Sequence, residues 1–506
     1  MPSRPGCSPH RLHKAGLRRA QLCSPRALKR PLPVALVIAL AARAAPVLFG
    51  YEHYGDAPVR IELAERWAQA PHLWHGYLET YQYGPLHLTL VGGLVRLLGD
   101  RVVAARLLSL TSGLVGVWLL YRVAEGERGR EAGFWAAFGL ALSPLHIQAS
   151  ATGASESLFL ALLLGALLLV LRERALLSAL LLGAAGLVRY DGWMYLPLLG
   201  ALLLVRTREV PRALGYCAVA AAPALFWLWV NARWSGDPLA PIHHIDREHA
   251  MLAQTALASW GPLRARLEGL VFWPSAVCIV ATPVLGLLGL WGSARAAWRR
   301  EAGWELVAIA WLPAAWFTFR TAALLDFHPM ARFTLVAAAL SLVFANDAMA
   351  LLRGPVRGVA VAAAAATPLV LTALCWNRTG AAAEWARPLA PIGSLPPGIA
   401  EAAHWLAANT APADAILLDG SPYYLDITLA FAAGLPEDRW IRVSWKEDFE
   451  ERLARHTPTF AVLLVRGPLG DFTRDRFDFR SLRFCAAQRY TYATVYRSCA
   501  PGPTSP

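Results

Sequence analysis

Apolar runs that approach the width of a bilayer, separated by connections rich in arginine, recur along most of this chain. Roughly 20 apolar residues are needed to cross the hydrocarbon core as a helix. Inside lipid every backbone polar group must be bonded within the protein, so such runs form α-helices. Spans are read near 33–50, 101–123, 132–147, 156–171, 175–188, 192–205, 213–231, 271–294, 304–323, 333–351 and 358–376. Composition agrees. The 506 residues are 56% hydrophobic and 16% charged, with a mean hydropathy of +0.40, whereas about a quarter of a soluble domain is charged. A polytopic α-helical membrane protein follows.

The net charge is +13, and its placement decides what it means. Eight Lys or Arg and no acids lie in residues 1–30, which orients the N-terminus toward the cytoplasm. No A-x-A-like site followed by a soluble chain is present, so a cleaved signal peptide is disfavoured. The sequence carries no aromatic-basic recognition module, which argues against nucleic acid as a partner. Seven cysteines without C-x-x-C spacing give no support to a zinc or thioredoxin-type site.

One run is read differently. "GPLHLTLVGGLVRLLG", residues 84–99, contains Arg96 and is short, so it reads as an interfacial amphipathic helix. With the N-terminus inside, the cytoplasmic connections become 122–131, 172–174, 206–212, 295–300 and 353–357, and each holds at least two Arg. Counting 84–99 as a crossing inverts all five. About eleven crossings therefore fit, with the C-terminus outside.

Three regions result. Residues 1–32 form a basic cytoplasmic segment, and 33–376 a transmembrane domain with external loops at 51–100 and 148–155. Further external connections are "RYD" (189–191), the loop from "NARWSGDP" to about 270, and "DFHPMAR" (326–332). Residues 377–506 read as a small extracytoplasmic α/β domain. There "PPGIAEAAHWLAANT" has helical spacing, and "AILLD", "FAVLLV" and "YTYATVY" read as strands. Cys485 and Cys499 flank the hairpin-like "AAQRYTYATVYRS"; an oxidising compartment permits a disulfide, with free buried thiols as the alternative. No internal repeat of 20–50 residues stands out, nor the two-half symmetry of transporters.

Ionisable groups beside a span are costly unless they serve packing or function. The external face collects Asp56, Glu156, Arg189, Asp191, Asp237, Asp326, His328 and Arg332. Asp237 in "SGDP" reads as a turn residue, and Asp191 as a partner of Arg189. Asp56 lies in "YEHYGDAP", just past the first span and near the N-cap of the helix "APVRIELAERWAQA". Glu156 lies in "QASATGASESLFLAL". Two carboxylates from separate loops on one face can hold a divalent cation, or one can act as a general base. Arg189, His328 and Arg332 are the cations of that face, suited to a phosphate; snorkelling or an ion pair with Asp326 is the alternative.

At these residues the chain resembles the GT-C superfamily of integral membrane glycosyltransferases. The branch is that of the protein mannosyltransferases, the lipid A aminoarabinose transferases and the Rhizobium-type galacturonosyl transferases. The likeness runs over roughly residues 33–350: "YGDAP", "YQYGPLHL", "AARLLSLTSGLVGVWLLYRVA", "LSPLHIQASATGASESLFLALLLGALLL", "GLVRYDGWMYLP", "NARWSGDPL" and "HPMARF" follow in order. The resemblance implies a bacterial inner-membrane transferase with its site facing the periplasm. Its donor would be a polyprenyl-phosphate sugar and its acceptor a glycan, lipid or protein. Asp56 would be the catalytic base or a metal-site member and Glu156 its partner. Arg332, His328 and Arg189, with Tyr83 of the first loop, would contact the substrate. Two departures stand out. Ala57 occupies the place of the second acid in the first-loop motif, and Gln82, Tyr83, Gly84 and Pro85 replace an acid-Lys-Pro-Pro stretch. They leave dependence on a divalent ion (Mg, Mn or Zn) open. Two other readings remain: a transporter or flippase for a lipid-linked sugar, which predicts charges near span midpoints, and a non-catalytic membrane scaffold.

Overall fold

In the computed structural model the described residues are 31–71, 83–376, 395–396, 398–420, 424–444 and 446–499. The basic segment 1–30, residues 72–82 with Gln82, and the connection 377–394 lie outside them. The chain opens with helix α1 (Pro31–Phe49), then α2 (Ala57–Gln69) and α3 (Pro85–Leu98), and returns along the 28-residue α4 (Arg101–Arg128). Arg106 near the start of α4 donates to the carbonyls of Val47 and Gly50 at the end of α1. The end of α1 and the start of α4 therefore share one end of the bundle, and α2 with α3 makes no net crossing between them.

The expected span at 132–147 is two helices, α5 (Arg130–Ala141) and α6 (Pro144–Ala151). Pro144 has no N–H to donate and cannot continue a helix, but suits a first turn. Ser143 caps the new start, its Oγ accepting from His146 N at 3.3 Å. Arg43, buried midway along α1, fills the break by donating to the carbonyls of Ala39 and Ala141 at 2.8 and 2.9 Å, with His146 Nδ1 2.8 Å from its other arm. A charge inside a span is here consumed by backbone carbonyls. The loop expected at 148–155 shrinks accordingly: α6 runs to Ala151, and residues 152–155 turn, fully buried, into α7 (Glu156–Leu171) at 109°.

The chain then alternates between the two ends through α8 (Ala175–Val188), α9 (Tyr195–Thr207) and α10 (Val210–Ser235). The stretch read as a loop up to about 270 instead contains helix α11 (Ala240–Trp260). The single span expected at 271–294 is replaced by α12 (Pro262–Val280) and α13 (Pro283–Arg299), bent by 120° where Pro283 starts a second helix. Next come α14 (Glu305–Phe319), α15 (Leu335–Leu342), α16 (Ala345–Leu351) and α17 (Gly354–Trp376). Small residues let these helices close up: a Cβ on Gly292 of α13 would clash with the Phe344 carbonyl oxygen. Large apolar side chains such as Leu214, Trp229 and Leu287 face outward. Among the described residues four helices are individually long and apolar enough to cross a membrane, or seven when each bent pair counts as one.

The five Arg-bearing connections meet at one end. Arg206 pairs with Glu127 and Glu305, Arg128 with Glu301 and Asp347, and Arg357 with Glu131. Arg295 reaches Glu301, and Arg212 donates to the Glu173 carbonyl.

The C-terminal part is an α/β unit. Strands β1 (Ala415–Leu418), β2 (Trp440–Arg442), β3 (Pro458–Leu464), β4 (Arg476–Phe479), β5 (Leu482–Arg489) and β6 (Ala493–Ser498) form one sheet in the order β2-β1-β3-β6-β5-β4. The β1 pairings are parallel and the others antiparallel, with Ile416 opposite Trp440 and Val462 opposite Val495. Helices α18 (Ile399–Asn409) and α19 (Leu425–Ala433) cover one face, burying Leu406 and Leu429 on Ile416, Leu418 and Val462; α20 (Lys446–Arg455) lies on the other. The strands at 415, 458 and 493 match the apolar runs read from sequence. A disulfide joins Cys485 of β5 to Cys499 just beyond β6.

Candidate active site

Asp56 occupies the N-cap position of α2, yet its side chain makes no capping hydrogen bond. Pro58 removes one of the first-turn amides that such a cap would serve. The carboxylate turns instead to Arg332, whose Nη1 donates to Asp56 Oδ2 at 2.9 Å. Arg332 comes from the short 3-10 turn Ala331–Thr334 that leads into α15. Gly55 makes the approach possible: its φ is +49°, and a Cβ there would lie 3.2 Å from Arg332 Nη1. The Gly-Asp pair thus bends the backbone into the left-handed region and delivers an acid to an arginine. The alternative partner Asp326 pairs with Arg320 instead, at 3.1 Å.

A second pair lies alongside. Glu156, buried at the start of α7, accepts from Arg189 Nη1 at 2.9 Å, and Arg189 Nε also reaches Asp191 at 3.0 Å. Arg189 sits in extended backbone just past α8, at the same end of the bundle. The charge of Arg189 acts on Asp56 and that of Glu156 on Arg332, so both pairs belong to one cluster. Burial pushes the Asp56 carboxyl up, but Arg332, Arg60 and Arg189 together outweigh it and hold the group below its ordinary value. Tyr54 is half-buried, with its hydroxyl sealed and unpaired among the described residues; burial and then Glu156 raise it well above the usual phenol range, so it stays protonated.

Tyr83 is buried beside them. Arg60 stacks over its ring at 4.2 Å, its carbonyl accepts from Tyr190, and its hydroxyl lies 3.3 Å from that of Tyr424. His328 precedes Arg332 by four residues, its carbonyl accepting from His249 Nδ1 at 3.1 Å. Asp237 is the turn residue its sequence suggests, accepting from Leu239 N at 2.9 Å.

The donor set does not fit a divalent cation. Among the described residues no three His, Cys, Asp or Glu side chains converge as a metal site. Asp56 and Glu156 each already face an arginine, whereas Mg requires about six oxygen ligands and tolerates little distortion. Asp56 and Glu156, the two acids at which a Mg, Mn or Zn site was left open, are each paired to an arginine in this structure.

Two residues of this region, Arg60 and Tyr54, escaped the sequence reading. Arg60 follows Asp56 by one helical turn, a spacing that could have found it. Tyr54 carried no such signal.

The family described as "Alpha-(1->6)-mannopyranosyltransferase, N-terminal domain" matches residues 20–205. No curated protein matches the chain in sequence. The apo structure of ArnT from Cupriavidus metallidurans is 15% identical with a TM-score of 0.61, over 94% of this chain and 99% of that one. The same protein bound to undecaprenyl phosphate gives 15% and 0.60, over 94% and 100%. The oligosaccharyltransferase AglB from Archaeoglobus fulgidus, in complex with an inhibitory peptide and a dolichol-phosphate, is 15% identical with a TM-score of 0.46, over 85% and 68%. In its helical architecture this chain shares the fold of ArnT from Cupriavidus metallidurans.

Proposed function

We propose that the protein moves a sugar from a polyprenyl-phosphate-linked donor to an acceptor hydroxyl on the external face of the membrane. One observation carries the reading: Asp56 and Arg332, 276 residues apart in sequence, meet at 2.9 Å at the end of the bundle opposite the Arg-rich connections. A base and a phosphate reader are thereby adjacent.

Arg332 takes the donor phosphate through its fork of N–H donors, assisted by Arg189 and His328, with Tyr83 against the substrate. While Arg332 is paired to Asp56, the carboxylate is ionised but a weak base. A donor phosphate that draws Arg332 away raises its basicity, so donor binding precedes activation of the acceptor. Asp56 then accepts the hydroxyl proton, and the acceptor oxygen bonds to the anomeric carbon. The bond from that carbon to the phosphate oxygen breaks, and the lipid phosphate leaves with the electron pair, its charge balanced by arginine. Glu156, held by Arg189, steadies the second acidic turn.

The ligand named with ArnT and the mannosyl family match support this donor class and make mannose the first sugar to test. Eleven crossings with a cytoplasmic N-terminus are supported by the meeting of the five Arg-bearing connections at one end. The Cys485–Cys499 disulfide suits an oxidising exterior such as the bacterial periplasm. A reporter fused after Gly393 and active only in the cytoplasm would overturn that placement.

The direct test uses the protein reconstituted in vesicles with undecaprenyl-phosphate mannose labelled in the sugar, plus envelope extract. The expected result is label leaving the lipid and entering an acceptor. A panel of polyprenyl-phosphate hexoses and pentoses that all retain their label overturns the reading.

A further inference from the structure

The loop that carries Asp56 is held from outside the helical bundle, on both sides of the acid. After it, Glu62 of α2 bonds Arg442 at the end of β2, and both side chains are only 2% exposed. Arg442 also donates to Glu437 at 2.7 Å. One turn on, Glu65 meets Arg101, which lies 3.6 Å from Glu437 and stacks over Phe431 of α19 at 4.4 Å. Before Asp56, Thr428 of α19 donates its hydroxyl to the Glu52 carbonyl at 3.1 Å. The side chain of Glu52 reaches Arg106 Nε at 2.6 Å and accepts from Gly153 N at 2.9 Å, three residues before Glu156. Glu52 thus ties the two acid-bearing turns together, while the α/β unit holds Glu52 from above.

A buried ion pair is a weak source of stability, because desolvating both charges offsets most of their attraction. What it supplies is direction. The axis of α2 is pinned six residues beyond Asp56, and its entry is pinned four residues before. A displacement of about 1 Å at a reacting group can cost on the order of 10²-fold in rate.

We propose that the C-terminal α/β unit is a positioning element of the active site, with Arg442 acting through Glu62, and Thr428 through Glu52, to fix Asp56. This rests on the functional reading above. The test uses the full-length protein in nanodiscs, with undecaprenyl-phosphate mannose as donor and undecaprenyl phosphate as binding probe. Arg442→Gln should lower kcat about tenfold while donor KM stays within about twofold. Arg442→Lys should recover part of the loss. Thr428→Val, which keeps the side-chain shape, should lower kcat about threefold with probe affinity unchanged. A loss that appears only in KM, or a wild-type kcat in folded Arg442→Gln, overturns the proposal. Where Arg442→Gln does not fold, Thr428→Val decides, and a wild-type kcat there has the same meaning. Hydrogen exchange over residues 52–64 provides a readout without turnover. Should the wild type transfer no sugar, the functional reading fails. Positioning is then judged by faster exchange in Thr428→Val over that segment alone, and unchanged exchange overturns it.

Discussion

Helix α2 carries two arginine–carboxylate pairs of opposite character. Asp56 at its start meets Arg332, and the two side chains keep 22% and 19% of their surface. Glu62, less than two turns further on, meets Arg442, and both are sealed at 2%. The chemistry is the same and both partners are distant in sequence. Burial separates them. Taking one arm of a sealed pair away leaves an uncompensated buried charge at a cost of about 3–5 kcal/mol, so the Glu62 pair cannot be exchanged for a ligand. The Asp56 pair lies where water and a ligand can enter, so its arginine can change partners.

The largest effect that could break this contrast is on Asp56 itself. Asp56→Asn keeps the shape and removes the charge, and transfer should fall by about 10²–10⁴. A folded Asp56→Asn protein transferring at the wild-type rate would return the residue to the role of a helix terminus. Arg332→Ala comes next. Losing one charge-assisted contact of about 1.5–3 kcal/mol should weaken undecaprenyl phosphate binding by roughly ten- to a hundredfold, with acceptor KM unchanged. Equal affinity by calorimetry would place the phosphate elsewhere.

Glu156→Gln should lower kcat less than Asp56→Asn, because Glu156 supports the turn and Asp56 takes the proton; a larger loss reverses the two roles. The pH dependence sharpens the comparison further. The Asp56 carboxyl is held below its usual value, so its ion pair contributes above the ordinary carboxyl pKa and is lost only as pH falls through the lowered one. The acid limb of kcat/KM should therefore lie below about 3.9, and Arg332→Gln should move it upward. A limb that stays in place means that Arg332 does not set this carboxylate. The smallest effect on activity is expected from the double substitution of Cys485→Ser and Cys499→Ser. It should cost about 3 kcal/mol of stability in the chain-entropy picture, lowering the Tm of the α/β unit while leaving kcat unchanged.

Particular residues show what could be read in advance. Asp56, Glu156, Arg189 and Arg332 stood out because charge beside a span is rare, and the structure gathers all four. Arg43 and His146 were overlooked, since a single polar residue within a run does not reveal the carbonyls it will satisfy. The broken helices at Pro144 and Pro283 were read as single spans, because hydropathy averages over a proline while the backbone does not. Helix α11 was taken for a loop because its apolar residues are mixed with His, Asp and Arg.

The sequence by itself determined that this chain lives in a membrane, which connections share a side, and which acids and arginines face the other. Those properties follow from local composition: the free energy of placing a residue in lipid depends on that residue and its near neighbours. Only the tertiary structure decided that Asp56 pairs with Arg332 rather than capping its helix, and that the α/β unit reaches back to Glu52 and Glu62. Those contacts join residues 276, 376 and 380 positions apart. No local preference encodes them, because each joins segments that meet only in the packed tertiary structure.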